Sequence, residues 1–130
     1  MIVVDASALV DTLLRVPGSN PLLERLLAPG SILNAPHLID VEVTQVLRRY
    51  ALRGEITAER AVEAIADLAD FPIERYPHTL LLPRIWSYRD NLSAYDAAYL
   101  ALADALDCLV VTRDARFANA PPALGRVELL

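Results

Sequence analysis

Short apolar segments alternate with longer segments of helical periodicity, and this alternation restricts the chain to few folds. Residues 2–5, Ile-Val-Val-Asp, form a continuous apolar run that ends in an acid. Such a run is typical of a strand covered on both faces of a parallel sheet. Further strands are predicted at residues 32–35, 73–76, 108–112 and 126–129. Strands that alternate with helices predict an α/β fold, a mostly parallel sheet with helices on both faces.

The segments between these strands carry helix-start and helix-stop signals. Asn20 is predicted as the N-cap of a helix that begins at Pro21 and is closed by Pro29 and Gly30. Apolar spacing, caps and glycine stops predict the other helices at residues 6–15, 38–53, 57–69, 79–88 and 93–106. No repeat or flexible linker interrupts them, so residues 1–130 are predicted to form one domain.

Composition excludes several classes of protein. With 55% hydrophobic and 22% charged residues, the chain is not disordered. Its longest apolar run, residues 97–103, is far shorter than the ~20 residues that a membrane helix needs. Its one cysteine, Cys108, excludes an internal disulfide and is interpreted as a small hydrophobe at the start of a strand. We therefore expect a cytoplasmic protein that does not associate with membranes.

The charge pattern limits the chemistry. The formal net charge is −5, and all 12 basic residues are arginine. Without lysine the chain has no Schiff-base former and no lysine clamp for phosphate. An acidic balance also argues against a nucleic-acid binder driven by electrostatics alone, so any such function must explain how the negative charge is offset.

Four acidic residues from separate segments are predicted to meet at one edge of the sheet. Asp5 ends the first strand, and Asp114 follows the strand predicted at residues 108–112. Glu42 and Asp96 lie near the starts of two helices that run antiparallel to the strands. Because ligands bind at the carboxyl ends of parallel strands, the four carboxylates mark a candidate site.

Each acid also has a structural interpretation. Asp96 completes a capping box with Ser93, Asp5 fits an N-cap, and Asp114 fits a turn. Glu42 is harder to explain, because it lies beside the apolar stripe of its helix, where an unpaired charge is costly to bury. The coincidence of all four favours a functional cluster over four separate structural roles.

Clustered carboxylates repel one another, so they either take up protons or bind a cation. Ligands that are all oxygen select hard ions, which points to Mg²⁺ or Mn²⁺. Such an ion activates water against a phosphodiester and makes an acidic edge attractive to phosphate. Four arginines are candidate phosphate contacts: Arg15, Arg89, Arg113 and Arg116.

Three stretches carry a resemblance to a known family. They are Val3-Val4-Asp5-Ala6-Ser7, the long Ser93–Ala103 segment that contains Asp96, and Val111-Thr112-Arg113-Asp114-Ala115-Arg116-Phe117, with Glu42 between the first two. In this order and spacing the chain resembles the PIN-domain ribonucleases, specifically the VapC-type toxins of toxin–antitoxin systems. The resemblance spans nearly the whole chain.

The resemblance implies a three-layer α/β/α sandwich and Mg²⁺-dependent endonucleolytic cleavage of RNA. It also implies a VapB-like antitoxin and a homodimer. By the same resemblance Asp5 and Asp96 would be direct metal ligands, and Glu42 and Asp114 would ligate or act through water. The hydroxyl and amide groups expected to orient a carboxylate or a water are those of Ser7, Thr112 and Asn91.

Two other functions are considered. A phospho-acceptor signalling domain also uses an acidic sheet edge, but it needs a lysine that this chain lacks. A PIN-like module that binds RNA or protein without catalysis typically loses one of the acids, and all four are present here. The sequence leaves open the RNA target, the number of metal ions, and whether the alanine-rich helix at residues 58–69 is core or interface.

The aromatic and histidine residues are assigned structural places. Trp86, Tyr88, Tyr95 and Tyr99 lie on or beside apolar helix faces, which favours core packing over base stacking. His37 and His78 show no metal-ligand spacing and are interpreted as separate loop or surface residues.

Overall fold

The computed structural model describes residues 1–130 and contains five strands and seven helices. The strands are β1 (Ile2–Val4), β2 (Leu33–Pro36), β3 (Ile73–Tyr76), β4 (Leu109–Thr112) and β5 (Val127–Leu129). The helices are α1 (Ala6–Leu14), α2 (Asn20–Leu26), α3 (Leu38–Leu52), α4 (Ala58–Asp70), α5 (Leu82–Ser87), α6 (Ala94–Leu106) and α7 (Ala115–Asn119). Two short 3₁₀ turns, Thr79–Leu81 and Pro121–Ala123, complete the secondary structure.

The strands form one sheet in the order β3-β2-β1-β4-β5, and every neighbouring pair is parallel. The central strand β1 pairs with β2 through Ile2 and Leu33 and with β4 through Val3 and Val110. From β1 the chain proceeds to β2 on one side, whereas from β4 it proceeds to β5 on the other. The strand order therefore reverses between β1 and β4, which is where open α/β sheets bind ligands.

Helices cover both faces of the sheet, as the sequence predicts for a three-layer α/β/α sandwich. Helices α1 to α4 pack against one another, while α6 packs on β1, β2 and β4 and contacts α5 on its other side. Helix α6 is buried over the whole Ala97–Ala103 segment, which explains its uniformly apolar sequence. None of the helices has the length and apolar character needed to cross a membrane.

Several local predictions were wrong. Ser19, not Asn20, precedes α2, and Asn20 is its first residue. Helix α7 was not predicted, because its five residues are too few for a periodic pattern. Cys108 precedes β4 and is only partly buried.

The two histidines are not separate. His37 follows β2 and His78 follows β3, and because these strands are paired the ring centroids lie 6.4 Å apart, edge to face. Nε2 of His78 accepts the backbone N–H of Leu38 at 2.9 Å. The His78 imidazole therefore caps the first turn of α3, since the side chain of His37, at the N-cap position, makes no capping hydrogen bond.

Candidate active site

The site forms where β1 and β4 end side by side. Asp5 follows β1 directly, and Thr112 is the last residue of β4, two residues before Asp114. The backbone N–H of Asp5 donates to the carbonyl of Val111 at 3.2 Å, which extends the pairing of the two strands as far as Asp5. Two segments far apart in sequence are thereby held together at the sheet edge.

Asp5 is almost completely buried, with 6% of its surface exposed, and both carboxylate oxygens are hydrogen bonded. Oδ1 accepts the Ser7 hydroxyl at 2.7 Å and the backbone N–H of Ala8 at 3.0 Å, so Asp5 is also the N-cap of α1. Oδ2 accepts the Thr112 hydroxyl at 2.5 Å. These three donors, of which the Ala8 N–H is the capping bond, hold the carboxylate in one orientation.

Ser7 and Thr112 connect Asp5 to the end of β4. The Ser7 oxygen accepts the backbone N–H of Arg113, and the Thr112 oxygen accepts the backbone N–H of Asp114, both at 3.0 Å. The two hydroxyl oxygens are 3.2 Å apart. The strand ends are thus joined through hydroxyl groups that also orient the carboxylate.

Glu42 lies in the second turn of α3, and its Oε1 accepts the phenol O–H of Tyr99 at 3.0 Å. Tyr99 is on α6 and is 1% exposed. Its hydroxyl provides the partner that a glutamate beside an apolar stripe requires. The core position predicted for Tyr99 is confirmed, and the sequence did not indicate its bond to Glu42.

Asp96 lies in the first turn of α6, and its backbone N–H donates to Oγ of the N-cap Ser93 at 3.2 Å. The reciprocal bond of a capping box, from Ser93 N–H to the Asp96 carboxylate, is absent. Asp114 is the N-cap of α7 and accepts the N–H of Arg116 at 2.9 Å. Asp114 therefore caps α7, whereas the Asp96 carboxylate forms no hydrogen bond with its own helix, α6.

All four acids, Asp5, Glu42, Asp96 and Asp114, line one cavity of about 390 Å³. Ser7, Asp11, Arg49, Tyr50 and Arg113 also line it, and Tyr99 contributes part of its wall. No three of the chain's acidic, histidine and cysteine side chains are close enough to form a ready-made metal cage. The cavity thus brings the acids to one place without a closed ring of ligands.

Burial and mutual repulsion shift Asp5, Glu42 and Asp96 towards the protonated form. Burial raises the pKa of Asp5 from 3.8 to about 6, against the opposing effect of its hydrogen bonds and with a further rise from the charge of Asp96. Burial also raises the pKa of Glu42, which the Tyr99 bond lowers and the charges of Asp96 and Asp5 raise. Burial and the charge of Asp114 raise the pKa of Asp96, and Arg116 opposes them. The positive charges in and near the cavity, from Arg49, Arg113 and Arg116, therefore do not offset the burial and repulsion of these acids.

The arginines singled out from the sequence lie in different places. Arg113 lines the cavity, but its guanidinium donates to Asp11 at 2.9 Å and to the carbonyl of Leu130 at 3.0 Å. Arg116 is exposed, and its charge acts on Asp96. Arg15 lines another cavity beside α2 and α4, and Arg89 stacks on Trp86 at 4.8 Å.

Asn91 is exposed in the loop before α6 and does not line the cavity. The interpretation of the aromatic residues as core was wrong for Trp86 and Tyr95, which are 68% and 62% exposed. Arg49 was overlooked. It lines the cavity and, unlike Arg113, has no carboxylate within salt-bridge distance. Its spacing of seven from Glu42 places both on one side of α3, and this could have identified it.

Comparison with known proteins gives a consistent result. Residues 2–121 match the PIN domain family. The chain is 46% identical over 129 residues to Ribonuclease VapC1 of Mycobacterium tuberculosis, which covers 98% of this chain and 96% of that protein. It is 44% identical over 119 residues to Ribonuclease VapC9 of the same species, covering 92% of this chain and 90% of the relative.

Solved structures share the fold at low sequence identity. The M. tuberculosis toxin VapC20, described as cleaving the sarcin-ricin loop, superposes with a TM-score of 0.67 at 17% identity, covering 91% of this chain and 93% of that one. VapBC2 from Rickettsia felis, bound to a promoter DNA fragment, gives a TM-score of 0.69 at 14% identity, with 99% and 98% covered. These two similarities concern the fold alone.

Proposed function

Because this chain belongs to the PIN domain family and, within it, to the VapC ribonucleases, we propose that it is an endoribonuclease that acts as the toxin of a toxin–antitoxin pair. The observation that carries the proposal is the cavity that gathers Asp5, Glu42, Asp96 and Asp114 from four separate segments. The whole-length similarity to proteins named as ribonucleases supports RNA as the substrate.

The donor set of the cavity fits a divalent cation. All four candidate ligands are carboxylates, and hard ions such as Mg²⁺ or Mn²⁺ prefer oxygen ligands. Mg²⁺ usually keeps several waters and takes only one or two carboxylates, so a closed cage of protein ligands is not required. Burial, and after it the charges of neighbouring acids, raise the pKa values of Asp5, Glu42 and Asp96, and a bound cation would offset the repulsion between these carboxylates.

In this proposal Asp5 and Asp96 would hold the ion most directly, with Glu42 and Asp114 as further ligands or as partners of bound water. The chemistry that a bound ion supplies is polarisation of the phosphodiester and activation of water as the nucleophile. Ser7 and Thr112 fix the Asp5 carboxylate, and Tyr99 fixes Glu42. The protein thus contributes two carboxylates, those of Asp5 and Glu42, that are already oriented by hydrogen bonds before any ligand binds.

Positive charge for the RNA backbone would come from arginines around the cavity. Arg49 has no carboxylate partner and lines the cavity, and Arg116 lies near Asp96. Arg113 is positioned by Asp11, which reduces the charge that it offers to phosphate. An overall negative chain can therefore bind RNA through a bound cation and a few local guanidinium groups.

A VapB-like antitoxin and a second copy of the chain are the proposed partners. Two of the structural neighbours are toxin–antitoxin assemblies, one from Klebsiella pneumoniae and one from R. felis. In this chain α4 buries Ala61, Ala64 and Leu68 but exposes Val62 and Ile65, at 67% and 40%. The alanine-rich helix therefore belongs to the core on one side and offers apolar surface for a partner on the other.

The test is RNA cleavage by the purified chain in the presence and absence of Mg²⁺ or Mn²⁺. We expect cleavage with either ion and none with chelator, and we expect Asp96→Asn to lose at least about a hundredfold in rate while retaining its circular dichroism spectrum. Asp67→Asn is a matched control, because Asp67 is an exposed aspartate on α4 outside the cavity. An Asp96→Asn protein as active as the wild type would contradict the assignment. Tight RNA or protein binding without any cleavage would indicate an inactive module instead.

A further inference from the structure

A second groove adjoins the acidic cavity and shares part of its wall. It has a volume of about 390 Å³, and three residues of α3 line both spaces: Glu42, Val46 and Arg49. The remaining lining residues are Leu38, Val41 and Gln45, from α3, and Tyr95, from the start of α6. A ligand that reaches the acidic cavity can therefore extend into this groove without leaving the protein surface.

The floor of the groove is set by helix geometry. Val41, Gln45 and Arg49 are spaced four residues apart on α3, so their side chains form one ridge. Val41 is 70% exposed, and Gln45 and Arg49 are also exposed. The ridge thus presents an apolar group, an amide and a guanidinium in succession, the last of them beside the acids.

Tyr95 forms the opposite wall, and its exposure needs an explanation. The ring is 62% exposed although it lies next to Asp96 in the first turn of α6. Its hydroxyl makes no hydrogen bond within the chain, in contrast to the hydroxyls of Tyr76, Tyr88 and Tyr99. An exposed aromatic ring at the border of a phosphate-binding site is the feature by which proteins bind unstacked bases.

We propose that this groove binds one unstacked nucleobase of single-stranded RNA beside the scissile phosphate, with the base stacked on Tyr95 and its edge facing Gln45. This inference rests on the proposed ribonuclease function and names the part of the substrate that the same site selects. The Arg49 guanidinium contacts the phosphate that joins this nucleotide to the one in the acidic cavity. Apart from Glu42 and Arg49, which border the acidic cavity, the groove is lined by apolar and uncharged polar side chains, and this surface suits a base and not a second phosphate.

The Gln45 amide gives the groove a means of distinguishing bases. It carries one acceptor and two donors, which match the donor and acceptor pattern on the edge of a base. Stacking on Tyr95 is tolerant of sequence, because every base has a π-face. We therefore assign affinity to Tyr95 and base preference to Gln45.

The test is a thermodynamic cycle that combines protein variants with altered RNA. Short single-stranded RNA oligonucleotides, each with one abasic nucleotide at a successive position, are titrated against wild type and Tyr95→Ala by fluorescence anisotropy in Ca²⁺. We expect Tyr95→Ala to bind intact RNA about tenfold more weakly, as loss of one base stack predicts. At one abasic position the affinity of the wild type for RNA should fall by the same factor. The affinity of Tyr95→Ala should be the same for this abasic RNA as for intact RNA.

The variants include controls for folding and for nonspecific aromatic contact. Tyr95→Phe keeps the ring and should bind like the wild type. Trp86→Ala removes another exposed aromatic residue, on α5, whose groove does not share residues with the acidic cavity, and it should also bind like the wild type. Gln45→Ala should bind all four bases at the selected position with more similar affinity than the wild type does.

The outcomes separate this inference from the function on which it rests. If the wild type cleaves RNA but the effects of Tyr95→Ala and every abasic position are additive, the base-binding groove is refuted and the ribonuclease proposal stands. If no cleavage is found but the cycle shows coupling, the groove is supported and the catalytic proposal fails. If Tyr95→Ala instead dissociates a dimer or an antitoxin complex and leaves RNA affinity unchanged, the groove is a protein interface and the inference is overturned.

Discussion

The phenol of Tyr99 donates a hydrogen bond of 3.0 Å to the carboxylate of Glu42, although the two residues are 57 positions apart in the chain. The bond joins α6 to α3 beneath the floor of the acidic cavity. Burial of Tyr99 and the nearby Glu42 charge raise the pKa of its phenol far above the ordinary range, so the phenol stays protonated and acts only as a donor. The orientation of Glu42 therefore depends on a residue in the core.

Replacement of Tyr99 by phenylalanine tests this dependence. Because the bond lowers the pKa of Glu42, Tyr99→Phe should raise that pKa further and move the acidic limb of the cleavage profile to higher pH. The free energy of unfolding should fall by only about 1 kcal/mol, the usual value of one hydrogen bond. The measurement is the pH dependence of kcat at saturating Mg²⁺.

Tyr50→Phe provides the matched control for this change. Tyr50 also lines the cavity, but its hydroxyl makes no hydrogen bond to an acid. The pH dependence of kcat for Tyr50→Phe should match that of the wild type. Identical profiles for the two variants would show that Tyr99 does not act through Glu42.

Metal-free protein should lose stability as the pH rises through the titration range of Asp5. The pKa of this group is about 6 in the folded chain and 3.8 in an exposed chain, so between these values the folded state holds a proton that the unfolded state has lost. Raising the pH across this interval lowers the free energy of unfolding, by up to about 3 kcal/mol. Urea denaturation in chelator at pH 4.5 and at pH 7.5 measures the difference.

Asp5→Asn removes the titrating group and should flatten this pH dependence. The amide retains an oxygen that can accept from Ser7 and Ala8, so the cap of α1 is preserved. In chelator at neutral pH we expect the variant to equal or exceed the wild type in stability, while losing cleavage activity. A wild-type stability that rises steadily from pH 4.5 to 7.5 would contradict the assignment of Asp5 as the destabilising group.

Divalent ions should stabilise the wild type at neutral pH, because they bind the folded chain and not the unfolded one. A concentration one hundred times the Kd adds about 2.7 kcal/mol to the free energy of unfolding. The gain should disappear in a protein that carries both Asp5→Asn and Asp96→Asn, and it should persist in Asp67→Asn. Thermal denaturation over a Mg²⁺ series provides the measurement, and an equal gain in the double variant would place the ion elsewhere.

Thr112→Val removes the hydroxyl that donates to Asp5 and accepts from Asp114 N–H. The shape of the side chain is kept, and a buried carboxylate oxygen and a backbone N–H lose their partner. We expect a loss of about 1–3 kcal/mol in stability and a further rise in the pKa of Asp5. Thr112→Ser keeps the hydroxyl, so its stability and the pKa of its Asp5 should match those of the wild type. Denaturant unfolding combined with NMR titration of the Asp5 carboxyl distinguishes the two variants.

The sheet and the positions of the acids could be predicted because they follow from local patterns. The central strands β1 and β4 are short, mostly apolar runs, and the acids lie at strand ends and helix starts, where the topology of a parallel sheet brings them together. The bond between Tyr99 and Glu42 could not be predicted, because it depends on how two helices are rotated about their axes. The contact of His37 with His78 depends likewise on the pairing of Pro36 with Tyr76 across β2 and β3.

Exposure of single aromatic residues was the least predictable feature. Tyr95 and Tyr99 are one helical turn apart on α6, and the same spacing predicts a shared apolar face. Helix α6 is exposed at its first two residues, Ala94 and Tyr95, however, and buried from Ala97 to Ala103, so that Tyr95 is 62% exposed and Tyr99 1%. A periodic pattern identifies the face of a helix but not where along its length the neighbouring elements end.

The hydroxyl that orients Asp5 comes from Thr112, which is 107 positions later in the chain. During translation Asp5 is therefore made long before β4, the strand that flanks β1, and before Asp114. A growing chain that has not yet reached residue 112 lacks one neighbour of its central strand and one of its four acids. The ribosome that produces the protein therefore carries an incomplete cluster of acids until residue 114 has been added.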